Sequence, residues 1–148
     1  MEKTKKLYYK PKKCLACRTC ELVCAVAHSA KKDLFEAVQK DILSLPAVKV
    51  YFAEDKNFPV ACRQCREHPC VSACIAGALG CDEKKAVVTY DKDKCVSCWM
   101  CIMVCPYGAL KPQRQKSKVS RCDLCIETGE PECAKSCPVK AIIYVEEK

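Results

Sequence analysis

The sequence predicts an α+β chain of short helices and short strands arranged as two similar lobes, and three observations carry that prediction. Sixteen of the seventeen cysteines fall into four ordered quartets along the 148 residues. Several stretches between the quartets alternate apolar and polar residues with the period of a strand. Bulky core builders are sparse, with three Phe and one Trp, so a chain of single-domain size needs internal staples in place of a large apolar core.

The quartets define the chemistry. Cys95, Cys98, Cys101 and Cys105, the last followed by Pro106, form the C-x2-C-x2-C-x3-C-P run that holds a 4Fe-4S cluster, its fourth cysteine ligating the other cluster of a two-cluster protein. Cys14, Cys17, Cys20 and Cys24 repeat that spacing. In Cys62, Cys65, Cys70 and Cys74 the gap before the third cysteine widens to four residues, and in Cys122, Cys125, Cys133 and Cys137 to seven. Each quartet keeps its opening C-x2-C and closing C-x3-C, so the insertions fall where a loop can bulge. Sixteen thiolates predict four 4Fe-4S clusters, with Cys81 left over.

Other readings of so many cysteines fit less well. Zinc sites usually combine two C-x2-C pairs a dozen or more residues apart, not triples with a trailing fourth. A disulfide framework suits small secreted domains, but the opening Met-Glu-Lys-Thr-Lys-Lys-Leu-Tyr-Tyr has no apolar h-region, which predicts no secretory leader and a cytoplasmic location, at most peripheral to a membrane complex. The longest apolar runs, Cys101 to Pro106 and Ala141 to Val145, are far below the ~20 residues of a membrane span. The formal charge of +8 does not imply nucleic acid, because four thiolates around a cluster core of about +2 leave about −2 per site, and four sites offset about 8. No zinc-finger His pair or RNA-binding aromatic signature appears.

Taken in order, residues 1–6 read as a lysine-rich mobile tail, and Leu7 to Tyr9 as a strand entering the first quartet. Ala25 to His28 reads as a helical turn; His28 is not needed as a ligand, since the thiolate count is complete. Leu34, Val38 and Ile42 recur at helical spacing beside Phe35, with Asp33 and Glu36 resembling a capping box and Pro46 as the stop, which predicts a helix with a packing stripe. Val48, Val50 and Phe52 alternate as a strand. Residues 29–61 are thus a cover and connector. Leu79 to Cys81 and Ala86 to Tyr90 flank Asp82 to Lys85 as a hairpin, with Cys81 either a small buried hydrophobe or a reactive thiol. Residues 111–121, with Lys111, Arg114, Lys116, Lys118 and Arg121, read as a solvated linker or a docking patch for an acidic partner. Pro138 to Val145 reads as a strand and the mate of Leu7 to Tyr9.

Quartet, hairpin, quartet is the plan of a two-cluster bacterial ferredoxin. Residues 62–110 form one such lobe, and residues 1–28 with 111–148 a second, within a single four-cluster domain over 1–148. The crossing rule then groups Cys62, Cys65 and Cys70 with Cys105; Cys95, Cys98 and Cys101 with Cys74; Cys14, Cys17 and Cys20 with Cys137; and Cys122, Cys125 and Cys133 with Cys24.

Through Cys-Leu-Ala-Cys-Arg-Thr-Cys-Glu-Leu-Val-Cys, Phe-Pro-Val-Ala-Cys-Arg-Gln-Cys, Cys-Pro-Tyr-Gly-Ala and Arg-Cys-Asp-Leu-Cys, the sequence resembles the four-cluster ferredoxin-type iron-sulfur subunits of dimethyl sulfoxide reductase, formate dehydrogenase, formate hydrogenlyase and carbon monoxide dehydrogenase. The compact length and the Cys-Glu-Leu-Val-Cys-Ala-Val-Ala-His-Ser stretch look most like the electron-transfer subunit of carbon monoxide dehydrogenase. Ala25 and Ile75 depart from the family by standing where Pro follows the other two fourth cysteines. The resemblance implies a non-catalytic wire. Electrons would pass from a redox enzyme, carbon monoxide dehydrogenase being preferred over a hydrogenase, formate dehydrogenase or molybdopterin reductase, to a hydrogenase, flavin oxidoreductase or ferredoxin. The absence of Rossmann, P-loop and nucleophile patterns agrees with a chain that transforms no substrate. The alternatives are a freely diffusing polyferredoxin and a regulatory cluster protein such as an oxygen sensor.

Overall fold

The computed structural model describes residues 4–40, 44–113 and 118–147. In chain order these form β1 (Thr4–Tyr9), a 3-10 turn (Pro11–Lys13), α1 (Thr19–Ala27), α2 (Leu34–Gln39), β2 (Lys49–Ala53), β3 (Lys56–Val60), α3 (Pro69–Ser72), β4 (Leu79–Asp82), β5 (Val87–Tyr90), α4 (Met100–Met103), β6 (Lys111–Gln113), β7 (Lys118–Ser120), α5 (Glu132–Lys135) and β8 (Ile142–Glu147). The strands pair as four two-stranded antiparallel ladders, β1 with β8, β2 with β3, β4 with β5 and β6 with β7.

The chain ends meet, as expected of a strand at Leu7 to Tyr9 with its mate near the end of the sequence. β1 runs against β8 in a register from Thr4 opposite Glu147 to Tyr9 opposite Ile142. Thr4 to Lys6 are therefore strand and not mobile tail, because β8 extends to Glu147 and supplies their backbone partners; residues 1–3 lie outside the described residues. β8 begins at Ile142 and not at Pro138, since residues 138–141 turn back toward Cys137, with Lys140 left-handed at φ 49°.

The expected hairpin over 79–90 is present as β4 and β5. Its turn is held by the Asp82 carboxylate, which accepts from Lys84 N and Lys85 N at 3.0 and 3.2 Å. Asp33 caps α2 by accepting from Glu36 N at 3.0 Å. The stripe on that helix is not packing, however: Phe35 is 78% and Val38 56% exposed, and Ala37 alone is buried. Six residues make too few turns to bury two faces, and the expected continuation to Ile42 lies outside the described residues.

Two hairpins escaped the sequence reading. β2 has a partner, β3, across a turn at Glu54 and Asp55, both left-handed. This hairpin covers the first quartet: Val50 N donates to Glu21 Oε1 at 2.7 Å, and Asn57 Nδ2 donates to the Cys14 carbonyl at 3.2 Å. Within the basic stretch 111–121, the described residues Lys111–Gln113 and Lys118–Ser120 are the paired strands β6 and β7 and not solvated linker, with Val119 buried. Arg114 and Lys116 lie outside the described residues.

Two groups of buried side chains form the interior. One contains Leu7, Val48, Val50, Leu124 and Ile142 with Cys20, Cys24, Cys122 and Cys133; the other contains Leu79, Val88, Leu110 and Val119 with Cys70 and Cys101. β5 serves both, sending Val87 to the first and Val88 to the second, as strand alternation requires. Buried Gln64 ties the same two regions, donating through Nε2 to the Cys122 carbonyl at 3.0 Å and accepting from Val88 N at 2.9 Å.

A candidate metal centre of four cysteine groups

Each quartet opens on a loop that turns left-handed just before its second cysteine, at Ala16, Gln64, Ser97 and Leu124, with φ of 54°, 47°, 60° and 59°. In the first three quartets a second left-handed residue, Arg18, His68 or Trp99, starts the helix that carries the third cysteine. Non-glycine residues in this region cost about 1–2 kcal/mol each, so the surroundings must hold them there. Successive residues of opposite hand turn their amide N–H groups into one concavity, the arrangement that receives an anion. Gln64 N accordingly donates to Cys62 Sγ at 3.5 Å and Leu124 N to Cys122 Sγ at 3.4 Å.

The fourth cysteines share a different device. In three quartets a tight turn after the cysteine brings the amide four residues on back to its sulfur: Ala78 N to Cys74 at 3.2 Å, Ala109 N to Cys105 at 3.4 Å and Ala141 N to Cys137 at 3.2 Å. The residue before each alanine, Gly77, Gly108 or Lys140, is left-handed, which the turn requires. The first quartet differs because α1 continues past Cys24 to Ala27. Its sulfur receives Ala47 N at 3.3 Å, from the segment leading to β2. The missing proline at Ala25 thus goes with a longer helix, whereas Ile75 keeps the turn.

The structure brings the sixteen cysteines into four groups. Cys14, Cys17, Cys20 and Cys137 line one cavity, Cys62, Cys65, Cys70 and Cys105 a second, and Cys95, Cys98, Cys101 and Cys74 a third. Of the remaining four, Cys24, Cys122 and Cys133 share one buried cluster where α1 packs on α5, and burial first, then the charges of Cys24 and Cys125, push the Cys133 thiol up. Cys81 stands apart on β4, partly exposed and not buried, with Sγ 3.4 Å from His68 Nε2.

These surroundings suit a soft, anionic metal-thiolate group. Burial pushes the thiols of Cys20, Cys62 and Cys101 up to about 11, so as free groups they stay protonated, and a coordinated metal removes that proton outright. Three buried polar atoms lack a hydrogen-bond partner among the described residues: Tyr9 Oη, Lys111 Nζ and Arg121 Nε. Two of them belong to side chains beside cysteines, Tyr9 feeling Cys122 and Cys133 and Arg121 feeling Cys62 and Cys122, while Lys111 feels Lys49 and Glu21 ahead of Cys24. Orphaned donors around a ring of sulfurs are what an anionic cluster would satisfy. Arg63 stacks over Tyr9, its guanidinium carbon 4.3 Å from the ring centroid.

His28 occupies the edge of the fourth group. Nδ1 is 2.8 Å from the Cys24 carbonyl oxygen, and Nε2 is 3.0 Å from Asp123 Oδ1. Hydrogen bonding to Asp123 raises the imidazole to about 11; burial opposes ionisation of Asp123, but the His28 contact outweighs it and holds the carboxyl down at about 2. His28, Asp123 and Cys125 also place a potential ligand atom each within 4.8 Å of one another. Its spacing, four residues after Cys24 on a helix, was the available sequence signal. Gln64, Tyr9 and Arg121 gave none.

The fold and the thiol groups define an iron-sulfur protein with short helices and antiparallel strand pairs. The chain belongs to the 4Fe-4S dicluster domain family, whose model matches residues 53–147. It is 35% identical to an iron-sulfur protein of Rhodospirillum rubrum over 95% of this chain and 81% of the relative. It is 31% identical to electron transport protein HydN of Escherichia coli over 90% of this chain and 83% of the relative. The polyferredoxin-like subunit of an aliphatic sulfonate oxidoreductase from Pyrococcus furiosus is 35% identical, over 86% of this chain and 68% of the relative. A chain of the BamBC active-site complex of benzoyl coenzyme A reductase has the same fold, with a TM-score of 0.54 at 23% identity over 99% of this chain and 81% of that one. Among the described residues no helix is long and apolar enough to cross a membrane.

Proposed function

We propose that the chain is a cytoplasmic electron-transfer subunit that holds four 4Fe-4S clusters in two ferredoxin-like lobes and serves a redox enzyme, with carbon monoxide dehydrogenase as the preferred donor. The observation that carries this reading is the convergence of the sixteen thiols into four groups of four, each joining three cysteines of one quartet to the fourth of another. When bound, such clusters supply single-electron transfer. The protein's part is to hold, screen and order them.

The order is supported by which thiols feel one another across group boundaries. Cys133 feels Cys20, Cys122 feels Cys62, and Cys101 feels Cys70. The groups therefore follow a line that begins at Cys14, Cys17, Cys20 and Cys137. It passes through Cys24, Cys122, Cys125 and Cys133, then Cys62, Cys65, Cys70 and Cys105, and ends at Cys74, Cys95, Cys98 and Cys101. Cys17 and Cys98, the two exposed members, belong to the two ends. The interior groups are screened from water by Leu124, Val87 and Gln64 and provided with counter-charge by Arg121.

The preference for carbon monoxide dehydrogenase rests on the Cys20 to Ser29 stretch, and a redox-enzyme partner fits relatives that are themselves oxidoreductase subunits. Purification of the native complex under anaerobic conditions, with identification of the large subunit, tests it. A co-purifying carbon monoxide dehydrogenase that reduces the chain with carbon monoxide is expected. A different dehydrogenase would overturn the partner alone, and no partner at all would favour a diffusing polyferredoxin.

A further inference from the structure

The two ends of the proposed line differ in the chemistry they present. Around the first group, Lys12 and Lys13 form the turn that enters Cys14, and Arg18 follows Cys17. Lys10 is tied by its backbone N–H to the Ala141 carbonyl at 2.7 Å, and Lys140 closes the turn after Cys137. All five side chains are in exposed residues, and among the described residues none of them is ion-paired. No acidic residue occurs over 10–20 or 137–145; the Glu21 carboxylate is turned inward to Val50 N, and the carboxylates of the covering hairpin, Glu54 and Asp55, stand at its turn beside Lys56. At the centre of this collar stand Leu15, 64% exposed, and the exposed thiol of Cys17.

The last group is surrounded differently. Asp91 and Asp93 balance Lys92 and Lys94 in the approach to Cys95, and Asp91 pairs with Lys94 at 3.5 Å. The exposed side chains beside Cys98 are apolar, with Val96 at 63% and Met103 at 80%. Set against about −2 for a cluster at each end, the five collar cations leave the first end an excess of positive charge, whereas Lys92, Lys94 and Lys118, which donates to the Cys95 carbonyl, only offset Asp91, Asp93 and the cluster at the last.

We infer that the collar of Lys10, Lys12, Lys13, Arg18 and Lys140 around Cys17 is the docking site for a small acidic electron-carrier protein, which exchanges one electron with the chain there. The inference rests on the proposed function above and adds the port and the class of partner. One side is oxidised and the other reduced by a single electron, with no bond made or broken. Complementary charge speeds encounter and orients the partner more than it deepens affinity, with gains of tenfold or more that fall steeply with salt. An anionic lipid surface has the same charge, but it would cover the one exposed thiol of this group and could not take an electron from it. The charge and the exposed thiol together favour a protein.

The test uses the cluster-loaded chain and an acidic bacterial ferredoxin as probe. Equilibrium binding and the second-order rate of electron exchange are measured at several ionic strengths, with iron content verifying each variant. Lys10→Glu, Lys12→Glu and Lys13→Glu together are expected to weaken binding and slow exchange by about tenfold at low salt and to flatten the salt dependence. The Lys92→Glu and Lys94→Glu pair is expected to change neither, and a triple Gln variant to give an intermediate effect. Equal losses from both sets, or no loss from the triple variant while methyl viologen still reduces the clusters, overturn the inference alone. Binding of the chain to phosphatidylserine vesicles, lost in the triple variant while ferredoxin exchange is unchanged, assigns the collar to lipid and also overturns it. A loaded chain that exchanges electrons with neither ferredoxin nor viologen overturns the proposed function itself.

Discussion

Arg121 gives the sharpest handle on how the protein sets its clusters' potentials. Its side chain is largely withdrawn from water, Nη1 donates to the Cys122 carbonyl at 3.1 Å, and Nε has no partner among the described residues. Burial lowers its pKa, opposed by Asp123 and by the thiols of Cys62, Cys122 and Cys70, and a guanidinium stays charged regardless. One positive charge thus stands between the two interior cysteine groups. At roughly 8 Å and an effective dielectric of ~20, a unit charge is worth about 2 kcal/mol, and for a one-electron couple that is about 90 mV before screening. Arg121→Gln keeps a donor and removes the charge. We expect the two interior clusters to become harder to reduce by about 30–90 mV, and the two end clusters to move far less. Potentiometric titration followed by electron paramagnetic resonance reads this, with exposed Arg66→Gln as the reference for a solvated charge. If neither interior potential falls, or all four fall together, buried counter-charge is not what sets them.

Three further outcomes follow from the geometry. Gly77→Ala and Gly108→Ala each meet open space, with nothing within 4 Å of the added Cβ, so the cost is that of a left-handed backbone alone; we expect about 1 kcal/mol in the denaturant midpoint for cluster loss, and a much larger loss would show hidden packing. Cys81→Ala should leave iron content and spectra unchanged, since Cys81 lies outside all four groups, and lost iron would place it among the ligands. His28→Ala and Asp123→Asn, combined in a double-mutant cycle, should show a coupling of about 1 kcal/mol, in keeping with a partly exposed pair; additivity would mean that the contact contributes nothing.

What the sequence revealed was what local spacing encodes. The quartets, the 79–90 hairpin, the cap at Asp33 and the meeting of the chain ends all depend on residues a few positions apart or on strand alternation. The β2–β3 hairpin was hidden because Pro59 lowers the strand signal and because Glu54 and Asp55 take left-handed conformations without a glycine. Residues 111–121 look solvated in the sequence because they are basic, yet Lys111 is half-buried and Arg121 carries its charge inward to Cys62 and Cys122. Such a placement is intelligible only once an anionic group is supposed there. The stripe on α2 misled in the opposite sense, since helical spacing says which side chains share a face but not whether anything covers it. The fourth-cysteine turns were half legible: Gly77 and Gly108 mark them, whereas Lys140 takes the same conformation unannounced.

We expect this one chain to hold four 4Fe-4S clusters, although the family model that matches residues 53–147 is that of a dicluster domain. Anaerobically prepared protein, analysed for iron and acid-labile sulfide and titrated reductively while the electron paramagnetic resonance signals are followed, tests it most directly. Sixteen iron atoms per chain and uptake of four electrons are the expected result, from four groups of four cysteines. About eight iron atoms with uptake of two electrons and one complete pair of cysteine groups open to alkylation, or zinc in place of iron, would contradict it.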